Sequence, residues 1–232
     1  MQHVTVVTGA AGALGSEVAR LLLERGHHVI ALDRPGPLLG ALERPGACRA
    51  LPADLLVEES IGAAVRDGEQ ALGAATGAVL CAGGYAGGHP AGEPSSAGEL
   101  ARMVDLNLIT AERCLRSLLP GMIARGNGSI VVVGSRAVRR PWESSGAAAY
   151  AASKSAVVVY AEAIAAEVRD QGVRVNSVLP SIIDTKANRA AMPGADPLRW
   201  VSPESLARVI AFLLSDDARD VSGASLAVDG RA

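Results

Sequence analysis

Thr8-Gly9-Ala10-Ala11-Gly12-Ala13-Leu14-Gly15 is the stretch on which the fold turns. It follows the apolar, β-branched run Val4–Val7 and opens a helix-forming segment, Ala13–Arg25. Strand, glycine turn and helix in that order are what a dinucleotide site needs. The glycines let the chain turn tightly and approach a pyrophosphate, and the helix start offers unpaired N–H groups and a positive dipole end. A second strand, His28–Asp33, ends on a carboxylate 18 residues beyond Gly15. A carboxylate there accepts hydrogen bonds from the adenosine ribose and repels a 2′-phosphate. NAD(H) is therefore favoured, with NADP(H) not excluded. Arg34 is the group that could pair with such a phosphate, and we read it as a solvated side chain at the rim. Asp54, after the third strand, caps a helix or meets the adenine.

Outward from this turn, short β-branched runs alternate with longer Ala/Leu/Glu/Arg segments. Strands are expected at Val4–Thr8, His28–Asp33, Cys48–Pro52, Ala78–Cys81, Ser129–Val133, Val173–Leu179 and Ser225–Val228. Their near-continuous apolar character suits strands covered on both faces. Helices are expected at Ala13–Arg25, Glu58–Leu72, Ala97–Ala124, Ala148–Asp170 and Pro203–Ser215. The alternation predicts a parallel, doubly wound α/β sheet. No repeat or low-complexity linker divides the chain, so residues 1–232 read as one domain, with 183–202 as a substrate-side loop or lid.

The second decisive stretch is Tyr150-Ala-Ala-Ser-Lys154 at the start of a helix. Residues four apart share a helix face, so both side chains can enter one cleft. A free tyrosine ionises near pH 10 and is a poor acid/base at neutrality. An ammonium at roughly 4 Å favours the phenolate by about 4 kcal/mol at an effective dielectric near 20, which is about three pKa units. Ser135, after the fifth strand, can hold the substrate oxygen that Tyr150 protonates; Ser144 and Ser145 are fallback candidates. Asn107 sits inside a long predicted helix, where asparagine needs a task, either a proton-relay water site or a local kink.

The bulk properties narrow the rest. Of 232 residues 49% are hydrophobic, enough for a large core, and the net charge of −2 comes with no basic stripe for nucleic acid or membrane. Cys48, Cys81 and Cys114 form neither a CxxC pair nor an even set. Free thiols, no metal site and a cytoplasmic setting are expected. With one Phe, two Trp and three Tyr in the chain, Tyr85, Trp142 and Trp200 are the aromatics available to stack on a flat substrate.

Together these residues resemble the short-chain dehydrogenase/reductase superfamily over nearly the whole chain. Thr8–Gly15 is similar to its TGxxxGxG turn, although the middle glycine is Ala13 and Gly12 stands one residue early. Asn107, Ser135, Tyr150 and Lys154 match its catalytic tetrad, although Ser135 lies 15 residues before Tyr150, two more than usual, so that the loop between must bulge. The family's NNAG motif reads Leu80-Cys81-Ala82-Gly83, its VNxVxP segment is Val175–Pro180, and its closing VDG is Val228-Asp229-Gly230. The resemblance implies a Rossmann-type three-layer αβα fold with a mainly parallel seven-stranded sheet. It also implies cofactor contacts from Thr8, Gly9, Ala11, Gly12, Ala13, Leu14 and Gly15, from Asp33, Arg34, Asp54 and Leu55, and from Cys81, Ala82 and Gly83. Further contacts come from Tyr150, Lys154, Pro180, Ile182, Ile183 and Thr185.

The implied activity is NAD(P)-dependent hydride transfer between the nicotinamide and a small-molecule carbonyl/alcohol pair, with Tyr150 as general acid/base. Tyr85, Ser135, Trp142, Tyr150 and Trp200 would meet the substrate, and a homodimer or homotetramer is implied. Two stretches, Leu80–Gly88 and Leu179–Arg189, are similar to dihydropteridine reductases, which makes quinonoid pterin reduction the rival activity. A non-catalytic NAD-binding sensor or scaffold is the rival of another class.

Overall fold

The computed structural model describes residues 3–231. Seven strands form one sheet: β1 (Val4–Thr8), β2 (His28–Asp33), β3 (Cys48–Pro52), β4 (Gly77–Leu80), β5 (Gly128–Val133), β6 (Val173–Pro180) and β7 (Ser225–Val228). Every pairing is parallel and the order is β3-β2-β1-β4-β5-β6-β7. The helices are α1 (Ala13–Glu24), α2 (Pro37–Gly40), α3 (Glu58–Leu72), α4 (Glu99–Val104), α5 (Thr110–Arg125), α6 (Ala148–Glu167), α7 (Lys186–Ala191) and α8 (Pro203–Leu214).

Strand side chains alternate between two cores, as period two dictates. Val6, Ile30, Ala78 and Ile130 face one side, where Ile61 and Val65 of α3, Leu115 and Met122 of α5, and Val157 and Ala161 of α6 close over them. Val7, Val29, Val79 and Val131 face the other side, against Val18 and Leu22 of α1 and Leu206 and Ile210 of α8. The result is the three-layer, doubly wound architecture expected from the sequence. The strand order reverses between β1 and β4, and in open sheets of this kind the ligand crevice lies outside the carboxyl ends of the strands at that point.

The expected single helix Ala97–Ala124 is found as a helical run from Glu99 to Arg125 that is not regular throughout. It begins at Glu99, after a left-handed Gly98, and passes through a wider, π-type turn at Asp105–Ile109 before α5. One residue too many for regular α geometry is absorbed there, at Asn107. The short helices α2 and α7 went unread, because four and six residues are too few to show a 3.6 period. Strands β4 and β5 begin one residue earlier than expected.

At the amino-terminal edge of the sheet lies a cavity of about 550 Å³, lined by Thr76, Asn127, Arg174 and Asp216 among others. It is on the opposite edge from the glycine turn and Tyr150. Arg174 spends its donors on the carbonyls of Leu213, Ser215 and Val221, closing the end of α8. Among the described residues, no helix is long and apolar enough to cross a membrane.

Candidate active site

The glycine turn is held by contacts that leave no room for side chains. Gly9 has φ +63°, and a Cβ there would stand 2.8 Å from the Ala82 nitrogen. A Cβ on Gly15 would collide with the Gly9 carbonyl oxygen, so the start of α1 packs directly on the turn. Gly12 is the N-cap and offers no side-chain cap. Ser16 makes the first helical hydrogen bond, back to Gly12, so the amides of Ala13, Leu14 and Gly15 keep no helical acceptor. Backbone amides at a helix start, in a cradle that a Cβ would fill, fit the diphosphate of a dinucleotide.

Asp33, at the end of β2, accepts from the Ala11 amide at 2.9 Å and from the Arg34 amide at 2.7 Å. Its carboxylate is thus aimed at the turn, with lone pairs left for ribose hydroxyls. Arg34 is exposed, and its guanidinium makes no hydrogen bond or ion pair among the described residues. Asp54 accepts from the Leu56 amide at 2.9 Å and forms the turn that leads into α3, with Leu55 inside that turn. Thr8 accepts from the Ala82 amide at 3.2 Å and ties the ends of β1 and β4 together.

Across the crevice, α6 presents Tyr150 and Lys154 one turn apart. Lys154 is only 6% exposed. Its Nζ donates to the Val133 carbonyl at 2.8 Å. Burial pulls its pKa down to about 8, opposed by the neighbouring Cys81. The Cys81 thiol is itself pushed up to about 12 by burial, against the pull of Lys154. A Cβ on Gly83 would stand 2.6 Å from Asn107 Oδ1 and 3.2 Å from Lys154 Nζ, so the backbone after β4 runs directly past both groups.

The phenol of Tyr150 is raised in pKa, first by burial; a hydrogen bond with Ser135 works the other way, and Tyr85 adds to the rise. Lys154 is not among the groups that shift Tyr150. The ammonium is committed to Val133, and the neighbour favouring the phenolate is the Ser135 hydroxyl. A phenol so raised is protonated at neutrality and is a weaker proton donor than a free tyrosine.

Ser135, not Ser144 or Ser145, makes this contact. Ser135 also accepts from the Ala137 amide at 3.2 Å, capping a 3₁₀ turn at Arg136–Val138. A second 3₁₀ turn at Pro141–Glu143 takes up the two extra residues before Tyr150.

The Asn107 side chain is bonded within the protein. Its Oδ1 accepts from the Gly84 amide at 2.9 Å, and its Nδ2 donates to the Gly84 carbonyl at 3.1 Å and to Ser153 Oγ at 3.0 Å. The side chain is consumed in fastening the loop after β4 to α6, inside the wide turn that the kink reading anticipated. Ser153 in turn donates to the Tyr150 carbonyl at 2.9 Å. Sequence reasoning passed over Ser153; its signal was a small polar residue beside Lys154 on an Ala/Val-rich helix.

The aromatics divide. Tyr85 is 68% exposed and sits edge-on to Tyr150, with ring centroids 5.0 Å apart. Trp142 is 75% exposed on the second 3₁₀ turn, whereas Trp200 is 8% exposed. Trp200 is packed rather than offered for stacking, because the chain there is pinned: Val201 bridges Ile183, and the Arg199 carbonyl accepts from the Arg231 amide. Between these pins, Thr185 caps α7 by accepting from the Asn188 amide at 3.1 Å, and Arg189 grips both Asp184 oxygens at 2.6 and 2.7 Å. Pro180 ends β6, and the Ile182 carbonyl accepts from the Val201 amide at 2.9 Å. The loops that follow β4 and β5 are joined, since the Gly146 carbonyl accepts from the Gly88 amide at 2.8 Å.

Comparison with known proteins agrees with this geometry. A family model described as "Enoyl-(Acyl carrier protein) reductase" matches residues 9–230. A cis-4-hydroxycyclohexanecarboxylate dehydrogenase of Sinomonas cyclohexanicum is 33% identical over 241 residues, covering 99% of this chain and 96% of that protein. A 2-(S)-hydroxypropyl-CoM dehydrogenase of Xanthobacter autotrophicus is 32% identical, covering 98% of this chain and 95% of that protein. Among solved structures, a short-chain type dehydrogenase/reductase of Mycobacterium ulcerans superposes with TM-score 0.89 at 30% identity, covering 100% of this chain and 90% of that one. The chain belongs to the short-chain dehydrogenase/reductase superfamily and is an NAD(P)-dependent oxidoreductase of hydroxyl and carbonyl groups.

Proposed function

We propose that the protein interconverts an alcohol and its carbonyl compound with NAD(H), using Tyr150 as the general acid/base. The observation that carries this reading is Tyr150 and Lys154 one turn apart on α6, with the Ser135 hydroxyl beside the Tyr150 phenol and Lys154 Nζ beside the backbone that follows β4. Ser135 holds the substrate oxygen, and Tyr150 gives it a proton or takes one away. Lys154 holds the nicotinamide ribose with the ammonium that burial makes ready to share its protons. Asn107 and Ser153 fix the backbone of Tyr150 against the loop after β4. A bound nicotinamide supplies the hydride chemistry, and the protein orients and polarises. The Ser135 contact favours an ordinary alcohol or ketone over a quinonoid pterin.

A panel of ketones with NADH, and of alcohols with NAD⁺, tests the reading. Tyr150→Phe should lower kcat by at least about a hundredfold, the usual worth of a positioned acid/base, while dinucleotide binding by titration stays close to wild type. Equal turnover in that variant overturns the role.

Asp33 facing the turn supports a preference for NAD(H) over NADP(H). Asp33→Ser should narrow the NAD-to-NADP ratio of kcat/KM by about tenfold, and an unchanged ratio would leave Asp33 without that role. A groove lined by Leu108, Val159, Tyr160 and Ala163, with Val159 61% exposed, supports pairing of two chains through α5 and α6. Mass measurement in solution decides that. Residues 183–202 form the substrate-side segment, and the three unpaired thiols suit a reducing cytoplasm.

A further inference from the structure

The loop between Ser135 and Tyr150 carries Arg136, Arg139 and Arg140 against a single acid, Glu143, in a chain whose net charge is −2. It leaves the carboxyl end of β5 and leads into α6, so it forms one lip of the crevice. Glu143 is shared. Arg140 Nη1 lies 3.2 Å from one of its oxygens and Arg136 Nη2 3.5 Å from the other. Arg139 is exposed and has no ion pair among the described residues. Arg136 opens the 3₁₀ turn that Ser135 caps, and Arg139 ends it. Side chains three apart on such a turn eclipse each other, so Arg136 and Arg139 share one side of it. Arg136 is the more buried of the two guanidinium groups at Glu143, with its side chain 20% exposed.

An independent feature lies beside this cationic turn. Trp142 stands exposed between Arg140 and Glu143, and Tyr85 stands exposed against Tyr150. The chain has only six aromatic residues, and these two are left exposed on the loops that follow β4 and β5. The loops that carry Tyr85 and Trp142 are joined by the Gly88–Gly146 hydrogen bond. The loop after β4 carries one acid among residues 84–96, Glu93, which lies 3.9 Å from His89.

We infer that the substrate is a ring-bearing alcohol or ketone that also carries a carboxylate or similar anion, with the ring against Tyr85 and Trp142 and the anion on Arg136 and Arg139. This rests on the oxidoreductase reading and names its substrate class. The guanidinium fork matches a carboxylate in shape as well as charge. Its half-exposed setting gives a preference of about tenfold over the uncharged analogue, and salt weakens that preference.

The test compares cyclohexanol with 4-hydroxycyclohexanecarboxylate, and cyclohexanone with the corresponding keto acid. Two quantities are read: kcat/KM with the dinucleotide, and ligand affinity from quenching of tryptophan fluorescence, with Trp142→Phe identifying the emitter. The expected result is an acid-to-neutral ratio of about ten or more that shrinks between 0.02 and 0.5 M salt, as on the order of the Debye length falling several-fold requires. Arg139→Glu, an exposed change that leaves the packing alone, should bring that ratio to one or below. Equal kcat/KM for the charged and neutral alcohols overturns the inference and leaves the oxidoreductase reading standing. A preference unaltered by Arg139→Glu and Arg136→Gln, or an acid accepted only when tethered to an acidic carrier protein, also overturns it. Turnover of no alcohol or ketone, charged or neutral, overturns both.

Discussion

The two walls of the crevice are built on opposite principles. On the β1 side, the turn from Gly9 to Gly15 is packed so closely that the missing Cβ atoms are the structural feature, and what faces the ligand is backbone. On the other side, the loops after β4 and β5 line the mouth with long side chains, Tyr85, Arg139 and Trp142, that are exposed to solvent. A wall of main chain can recognise only what all dinucleotides share. A wall of side chains can be changed without disturbing the sheet, and this is where the proposed substrate contacts lie.

The sharpest way to break the contrast is to add atoms to the close-packed wall. Gly15→Val places a branched side chain against the Gly9 carbonyl. Overpacking of this kind costs about 1–3 kcal/mol, and dinucleotide affinity should fall by at least about tenfold. Thermal unfolding and calorimetric titration read the two effects. Unchanged affinity would mean that the turn is not the cradle described above.

A second test concerns Lys154, which lies between the walls. Its folded pKa is about 8 against an ordinary 10.5. Between those values the folded protein has released the proton and the unfolded chain keeps it, so stability rises with pH through that window. Below pH 8 both states bind the proton and the cost of burying the ammonium is present in full. Relative to Lys154→Met, the wild type should therefore gain about 3 kcal/mol between pH 7 and pH 10.5. Denaturant unfolding of both proteins at several pH values measures the difference. A constant gap would place the ammonium in a wetter site.

The smallest effect is expected away from both walls. Ser177 is buried on β6, and among the described residues its hydroxyl has no partner. Ser177→Ala should be neutral or stabilising by up to about 1 kcal/mol, because no hydrogen bond is lost. A clear loss of stability would reveal a partner, such as an enclosed water.

The division between the walls also explains what could be read from the chain. The glycine turn, Asp33 and the Tyr150–Lys154 pair are local patterns in which spacing alone fixes geometry, and the structure puts them at one end of the sheet. The wide turn at Asp105–Ile109 was hidden because an extra residue inside a helix leaves the apolar pattern continuous on either side. The acceptor for Lys154 lies 21 residues away, on β5, beyond the reach of any helix-face argument. Trp200 misled for another reason. Scarcity of aromatics suggested a ligand contact, but its burial depends on where the chain returns beside Gly230.

The hydrogen bond from Gly88 to Gly146 has a practical consequence for anyone redesigning this protein. It latches two separate stretches of chain into a single rim, so their shapes are inherited together. A library that varies one stretch while freezing the other would sample mostly unlatched, floppy mouths. Exchanging both stretches as a matched pair is the productive unit of change.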